Sequence, residues 1–563
     1  MRIVLIYPPP WQIPSPGDPP TGMPFGPPRD AADRSVLASR DFAEIPYGVL
    51  TIAAEARRAG HDVAVFNLAT ASWREVETRI AAAEADLYGI STFTSNRRGL
   101  GAVAALIRRR HPHAHITAGG PFVSALPHDT LRRFADIDTA VVGEGEAAFM
   151  DLVESLAAGR PACGIPGTLW RSGDDVVRGP PRPTIKDLDS LAPPFDYFTN
   201  KFVLTSRGCP SKCTFCGSAT TWGAKVRFHS VRYTLDALQK ALGRLAVPVI
   251  GIKDDTFTAH RPRALAICDA IIESGADVLW SCDTRVDSLT DELLHKMRLA
   301  GCQMISLGVE SGSPQILEAI RKKTTNEMVL EATRSAKKYG INVRYYMIIG
   351  NRGETPETIE QSIDLIKAGR PNKFYFSPLS YYPGTEEWEI LRAAEGLTPD
   401  IFFEEDFSEP SIAINRHAEL NEILTHLYCA IGSIDGFDYT VLEREAIIDR
   451  LPDLHVAHLE LANSYFRAGR LDDAARELDR AEALGFPIGG MVDNQRACIA
   501  LAHGDAGAAI ALLERARRHH PHALVSGNLD RLRDWSDIPR AAPPVLDDSV
   551  LAIDFADCGE VPQ

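Results

Sequence analysis

Short apolar runs rich in β-branched residues recur along the first 380 or so positions, each followed by a stretch of helical character. In the N-terminal part they fall at residues 2–7, 62–67, 86–93, 114–118 and 139–142. A second series falls at 202–206, 249–253, 278–282, 304–309, 343–349 and 374–378. Strands so uniformly apolar must be covered on both faces, as in parallel sheets sandwiched between helices. The alternation therefore predicts an α/β chain with two units. Residues 1–160 are expected to form a doubly wound, Rossmann-like sheet, and residues 201–393 a partial (β/α)₆ TIM-like barrel.

The remaining segments have other characters. Residues 8–44 are rich in Pro and Gly, and read equally as a cover over a ligand or as a disordered insertion. Prolines at 161, 166, 180, 181, 183, 193 and 194 mark residues 161–200 as a linker. Residues 394–450 read as a helical connection. Over 451–536, Ala462 and Ala497, Gly469 and Gly504, and Ala474 and Ala509 share one offset of 35 residues. That spacing is close to the ~34-residue period of tetratricopeptide helix pairs. Such repeats either present a concave surface to a partner protein or close the barrel as a packing module. Turn formers and acids in residues 537–563 suggest a disordered tail.

Composition narrows the function. The chain of 563 residues carries a formal charge of −15, which disfavours loose binding to nucleic acid or an anionic membrane. The first apolar run ends at Pro8, with no cleavage-site pattern, and no run approaches the ~20 apolar residues of a membrane span. A cytoplasmic location is expected, where thiols stay reduced and the ten cysteines are not read as a disulfide framework. Seven are scattered, and three are clustered in Arg207-Gly208-Cys209-Pro210-Ser211-Lys212-Cys213-Thr214-Phe215-Cys216-Gly217. Three thiolates at this spacing can hold three irons of a [4Fe–4S] cube and leave the fourth iron open. A zinc site is the alternative, but structural zinc takes four ligands and His229 is poorly spaced to be the fourth.

This loop resembles that of the radical S-adenosylmethionine (SAM) superfamily, including the aromatic Phe215 before the last cysteine. Lys253-Asp254-Asp255, Thr284-Arg285-Val286-Asp287 and Gly308-Val309-Glu310-Ser311-Gly312 resemble strand-end motifs of one large branch. The resemblance implies that Phe215, Asp254, Asp255, Arg285, Glu310, Ser311 and Gly312 contact SAM, with Glu310 and Arg285 foremost. An acid suits the amino group and an arginine the carboxylate. Asn351-Arg352 departs from the family pattern, which commonly has a proline there.

Residues 1–160 resemble the cobalamin-binding domain that precedes the barrel in one branch of that superfamily. The resemblance rests on Tyr7-Pro8-Pro9, Pro46-Tyr47-Gly48, Gly89-Ile90-Ser91-Thr92, Gly119-Gly120-Pro121 and Val142-Gly143-Glu144-Gly145-Glu146. It implies cobalamin contacts from Ser91, Thr92, Gly119, Gly120, Pro121, Gly143, Gly145 and Glu146. No Asp-x-His-x-x-Gly motif is present to supply a histidine to cobalt.

The expected activity is C-methylation of a small-molecule substrate through methylcobalamin, with an electron donor such as flavodoxin or ferredoxin. Cobalamin-dependent cyclisation, oxidation or rearrangement without methyl transfer is the alternative, and a non-catalytic adaptor or sensor built on the C-terminal repeats is a third reading.

Overall fold

The computed structural model describes residues 1–15, 44–223, 225–404, 417–520, 522–536 and 543–549. Most of the Pro-rich segment therefore lies outside the described residues. Trp11 and Ile13, at its start, are buried against the N-terminal unit.

The N-terminal sheet has seven strands: β1 Arg2–Tyr7, β2 Asp62–Asn67, β3 Leu87–Ser91, β4 His115–Gly119, β5 Thr139–Val141, β6 Thr168–Ser172 and β7 Asp175–Arg178. Their order is β2-β1-β3-β4-β5-β6-β7. The first five are parallel. Alternate side chains of β1 enter opposite cores. Val4 and Ile6 face the helix Arg97–Arg110, while Ile3 and Leu5 face the helices Tyr47–Arg58 and Gly145–Ala157. This two-sided burial explains the continuous apolar runs. The last two strands fall inside the expected linker. They form an antiparallel hairpin that extends the sheet at β5.

The second unit begins with β8 Phe202–Val203 and a short antiparallel ribbon of β9 Ser206–Arg207 and β10 Arg227–Phe228. There follow β11 Val249–Ile252, β12 Leu279–Thr284, β13 Cys302–Glu310, β14 Asn342–Ile349 and β15 Lys373–Pro378. Six parallel strands run in the order β15-β14-β13-β12-β11-β8, which is the expected partial barrel. Their outward residues, including Ile250, Trp280, Ile305 and Val343, pack under the helices.

The chain then doubles back. Trp388 of the helix Glu386–Glu395 and Phe402 of the turn Pro399–Phe403 are each 1% exposed and complete the core of the N-terminal sheet. Arg97 donates to the Phe402 carbonyl at 2.9 Å. Residues 386–403 thus complete the first unit's core while staying tied to the barrel, where Glu387 accepts from the Thr214 hydroxyl at 2.7 Å.

Two helical hairpins follow, His455–Arg467 with Leu471–Ala483 and Gly489–Ala502 with Ala506–His519. The 35-residue offset is structural: Gly469 and Gly504 turn the two hairpins with φ of 74° and 83°, and Ala474 and Ala509 are both fully buried. Val456 and Leu459 share a core with Val249, Leu279 and Met304, at the N-terminal ends of β11, β12 and β13. The helices therefore seal the end of the barrel away from the C-terminal strand ends. Glu460 anchors this seal, accepting from Arg298 at 2.7 Å and from Arg444 at 2.5 Å, all three buried. Among the described residues no helix is long and apolar enough to cross a membrane.

Candidate cofactor and active site

The C-terminal strand ends of the two sheets face one another across a cavity of about 1360 Å³. It exceeds the ~300–1,000 Å³ of ordinary small-ligand pockets. Ser91, Gly119, Gly120, Pro121, Gly143, Gly145 and Glu146 line its N-terminal side, and Gly217, Ser218 and Asp255 line its barrel side. A methyl group added at Gly119 would meet only Val141, at 3.8 Å, and one added at Gly143 would meet nothing within 4 Å. These two positions therefore leave flat, open backbone for a ligand to approach. Gly120 is different: with φ +91° it sits so tightly on Thr92 that any side chain would lie 2.6 Å from the Thr92 carbonyl oxygen. Thr92 is itself fully buried, its N–H bonded to the Gly119 carbonyl at 3.0 Å, so it shapes the turn and does not line the cavity.

The cluster loop, residues 208–217, leaves the β9–β10 ribbon. Gly208 starts it with φ +94°, a conformation glycine adopts at no steric cost. The first barrel strand ends early because the chain there finds another partner. Asp254, fully buried, accepts from the backbone N–H groups of Thr205 and Ser206 at 2.5 and 3.0 Å and from their hydroxyls at 2.6 and 2.7 Å. Its carboxylate replaces the missing ladder bonds and has no face toward the cavity. The expected SAM contact from Asp254 is thus a structural anchor. Burial raises its pKa despite those donors. Asp255 does reach the cavity, where it accepts from Ser218 at 2.8 Å.

Cys209, Cys213 and Cys216 are free thiols, and Cys209 Sγ lies 3.4 Å from the Thr256 hydroxyl. Burial pushes the Cys213 thiol pKa up, against the pull of Lys322 and Arg285, whose charges reach it. The strand-end residues thus gather round the loop. Phe215 is half-buried in it. Arg285 spends Nε and one terminal nitrogen on Asp287, at 3.0 and 2.8 Å.

Glu310 has φ +68° at a bulge where the β13–β14 register slips. Left-handed backbone at a bulky residue is uncommon and is concentrated at functional sites. Its Oε1 accepts from buried Lys322 at 2.8 Å, and Gly308 provides the room: a side chain there would lie 2.5 Å from that oxygen. Ser311 and Gly312 turn the other way. Gly312 N–H donates to Ser362 Oγ at 2.9 Å, and the Ser311 hydroxyl accepts from Ser313 N–H, fixing the strand end to the helix Pro356–Gly369.

Glu146 lines the cavity, yet its carboxylate belongs to a buried ion cluster joining the two units. Arg207 donates to Glu144 at 2.7 Å and to Glu146 at 2.5 Å, Arg227 donates to Glu144 at 2.6 Å, and Thr51 donates to Glu146 at 2.9 Å. Burial would raise the Glu146 pKa, but the Arg207 guanidinium overrides it and holds the carboxyl below its usual value. From the sequence, Arg207 and Glu144 stood within quoted motifs without an assigned role, and Lys322 was not singled out. Arg207 directly precedes the Gly-Cys of the loop, which is the signal that would have found it.

The fold and this site define an α/β enzyme whose three-thiol loop opens onto a second, glycine-lined sheet edge. The Radical SAM superfamily model matches residues 203–366, and the B12 binding domain model matches residues 34–153. An uncharacterized methyltransferase of Pyrococcus horikoshii is 32% identical over 380 residues, 65% of this chain and 82% of that protein. The anaerobic magnesium-protoporphyrin IX monomethyl ester cyclase of Rubrivivax gelatinosus is 27% identical over 335 residues, 56% of this chain and 60% of that one. The structure of the radical SAM methyltransferase TsrM from Kitasatospora setae, with cobalamin and a [4Fe–4S] cluster bound, aligns with a TM-score of 0.56 at 19% identity, covering 71% of this chain and 76% of that one. This chain belongs to the radical SAM superfamily, in the branch that also carries a B12 binding domain. The cofactors of that branch are SAM, a [4Fe–4S] cluster and cobalamin.

Proposed function

We propose that this chain methylates an unactivated carbon of a small-molecule substrate, using cobalamin as the methyl carrier. One observation carries the reading: a single cavity joins the mouth of the barrel to the open glycine edge of the N-terminal sheet. Both cofactors would then face one substrate.

The residues present fit these groups. Cys209, Cys213 and Cys216 would hold the cluster. Among the described residues no three His, Cys, Asp or Glu side chains converge on a single-ion site. Three sulfurs set apart on one loop suit a polynuclear cluster, in which each takes a different iron. Arg285 and Glu310 would take the carboxylate and amino groups of SAM. Lys322 neutralises one oxygen of Glu310 and so fixes the direction of the other. Ser91, Gly119, Gly120 and Gly143 would lie against the corrin. Once bound, these groups supply a 5′-deoxyadenosyl radical by reductive cleavage of SAM, and a transferable methyl that a second SAM restores. Phe202, Trp222 and Phe376 line the cavity and offer apolar surface to a bound substrate. A flavodoxin- or ferredoxin-type donor would supply the electrons.

The test is anaerobic reconstitution with iron, sulfide and hydroxocobalamin, then reduction in the presence of methyl-labelled SAM without substrate. Label on the bound cobalamin supports the methyl-transfer reading. Bound cobalamin that takes no label, beside released 5′-deoxyadenosine, overturns it. That outcome favours cyclisation or rearrangement, the reading to which the relationship with the Rubrivivax cyclase lends weight.

A further inference from the structure

The helical repeats and the helix Ala523–Ser536 that follows them carry four buried carboxamides: Asn463, Asn494, Gln495 and Asn528, none more than 6% exposed. A buried amide without a partner costs about 1–3 kcal/mol, so each needs one. All four find it in the same short stretch of chain. The Asp547 carbonyl accepts from Asn494 and Asn528, both at 2.9 Å, and the Asp547 N–H donates to Asn528 Oδ1 at 2.7 Å. The Asp548 carbonyl accepts from Asn463 at 2.8 Å and from Gln495.

These contacts read backbone, so they accept any extended peptide, much as an open sheet edge accepts a strand. Two side chains add selectivity. Leu546 is 8% exposed and enters the apolar core of the repeats. The Asp548 carboxylate meets Arg467 through two nitrogens, at 2.7 and 3.0 Å, a fork-on-fork geometry specific for a planar acid. Asp547 points its side chain outward and only caps Ser549 N–H at 3.0 Å. The face thus specifies an apolar residue, then any residue, then an aspartate. The tail, expected from composition to be disordered, is held here over residues 543–549.

We propose that this inner face of the helical repeats is a binding site for an extended peptide of the pattern apolar–any–Asp, which residues 543–549 fill in cis and a partner polypeptide bearing the same pattern fills in trans. A cis segment competes at an effective concentration on the order of millimolar. A trans ligand therefore gains access only when it is concentrated or when the cis segment is weakened.

The test uses the full chain and a fluorescent synthetic peptide with the sequence of residues 543–549. Leu546→Ser with Asp548→Lys weakens the cis segment. This variant should bind the peptide at least about ten-fold tighter than the unaltered chain. Adding Arg467→Glu, or changing the aspartate of the peptide that corresponds to Asp548 to lysine, should abolish binding. A folded variant, with native circular dichroism and gel-filtration volume, that ignores the peptide would overturn the proposal and leave the segment a fixed clasp. Binding indifferent to Arg467→Glu would overturn it equally. Should the variant not fold, hydrogen exchange on the unaltered chain decides: excess peptide should speed exchange of the Asp547 amide, and unchanged exchange counts against a replaceable ligand.

Discussion

Replacing Arg207 by methionine keeps most of the volume and removes one cation from between two buried carboxylates. Arg207, Glu144 and Glu146 are each about 3–5% exposed at the side chain, so solvent screens little. At an effective dielectric of about 20, unit charges about 3 Å apart attract by roughly 6 kcal/mol. Desolvation offsets part of this, and removing one partner of such a buried pair costs about 3–5 kcal/mol. Glu144 keeps Arg227, so the cost falls on Glu146, which retains the Thr51 hydroxyl. Arg207→Met should therefore lower unfolding free energy by about 3–5 kcal/mol. Urea titration followed by circular dichroism reads the loss. Tryptophan emission gives a local probe, since Arg207 lies over the Trp222 ring at 5.1 Å. Adding Glu146→Gln removes the stranded charge and should return at least half of the loss, a positive coupling in the double-mutant cycle. A loss under about 1 kcal/mol, typical of an ordinary substitution, would refute the reasoning. So would a second substitution that deepens the damage.

Three further outcomes are expected. Gly119→Leu should abolish cobalamin retention on gel filtration while iron content stays unchanged, because its side chain enters open cavity; retained cobalamin would place the corrin elsewhere. Glu460→Gln strands Arg298 and Arg444 at the sealed end of the barrel and should cost about 3–5 kcal/mol in thermal or urea unfolding, with an unchanged melting temperature as the contrary result. Burial lowers the His229 pKa to about 4, in spite of Asp189, so the unfolded chain takes up the proton first as pH falls below 6.5. The stability held above pH 6.5 should drain between there and about 4, by up to about 3 kcal/mol, and His229→Gln should flatten that acid limb.

Much of the fold could be read from the chain because doubly covered parallel strands leave continuous apolar runs; β1 and β2 begin and end where the runs do. The hairpin of β6 and β7 was missed although Gly173-Asp174 between Leu-Trp-Arg-Ser and Asp-Val-Val-Arg is a hairpin signal. The surrounding prolines drew the reading toward a linker. Motifs pointed to residues round the cavity but not to the duties of the acids among them. Asp254 and Asp255 are adjacent in sequence, yet one stitches a strand end while the other meets the cavity. Alternation along a chain predicts opposite faces, but not which face holds a waiting hydroxyl or amide. Trp388 and Phe402 show the same limit, since only tertiary folding returns them to a sheet some 300 residues upstream.

That return of the chain, with the buried ions around Arg207, binds the N-terminal unit to the barrel twice. A hinged jaw would have to unmake an apolar core and an ion cluster at every cycle. The two sheet edges are therefore held at one spacing across the cavity, on whose wall the Thr220 hydroxyl donates to the Gly384 carbonyl at 3.2 Å.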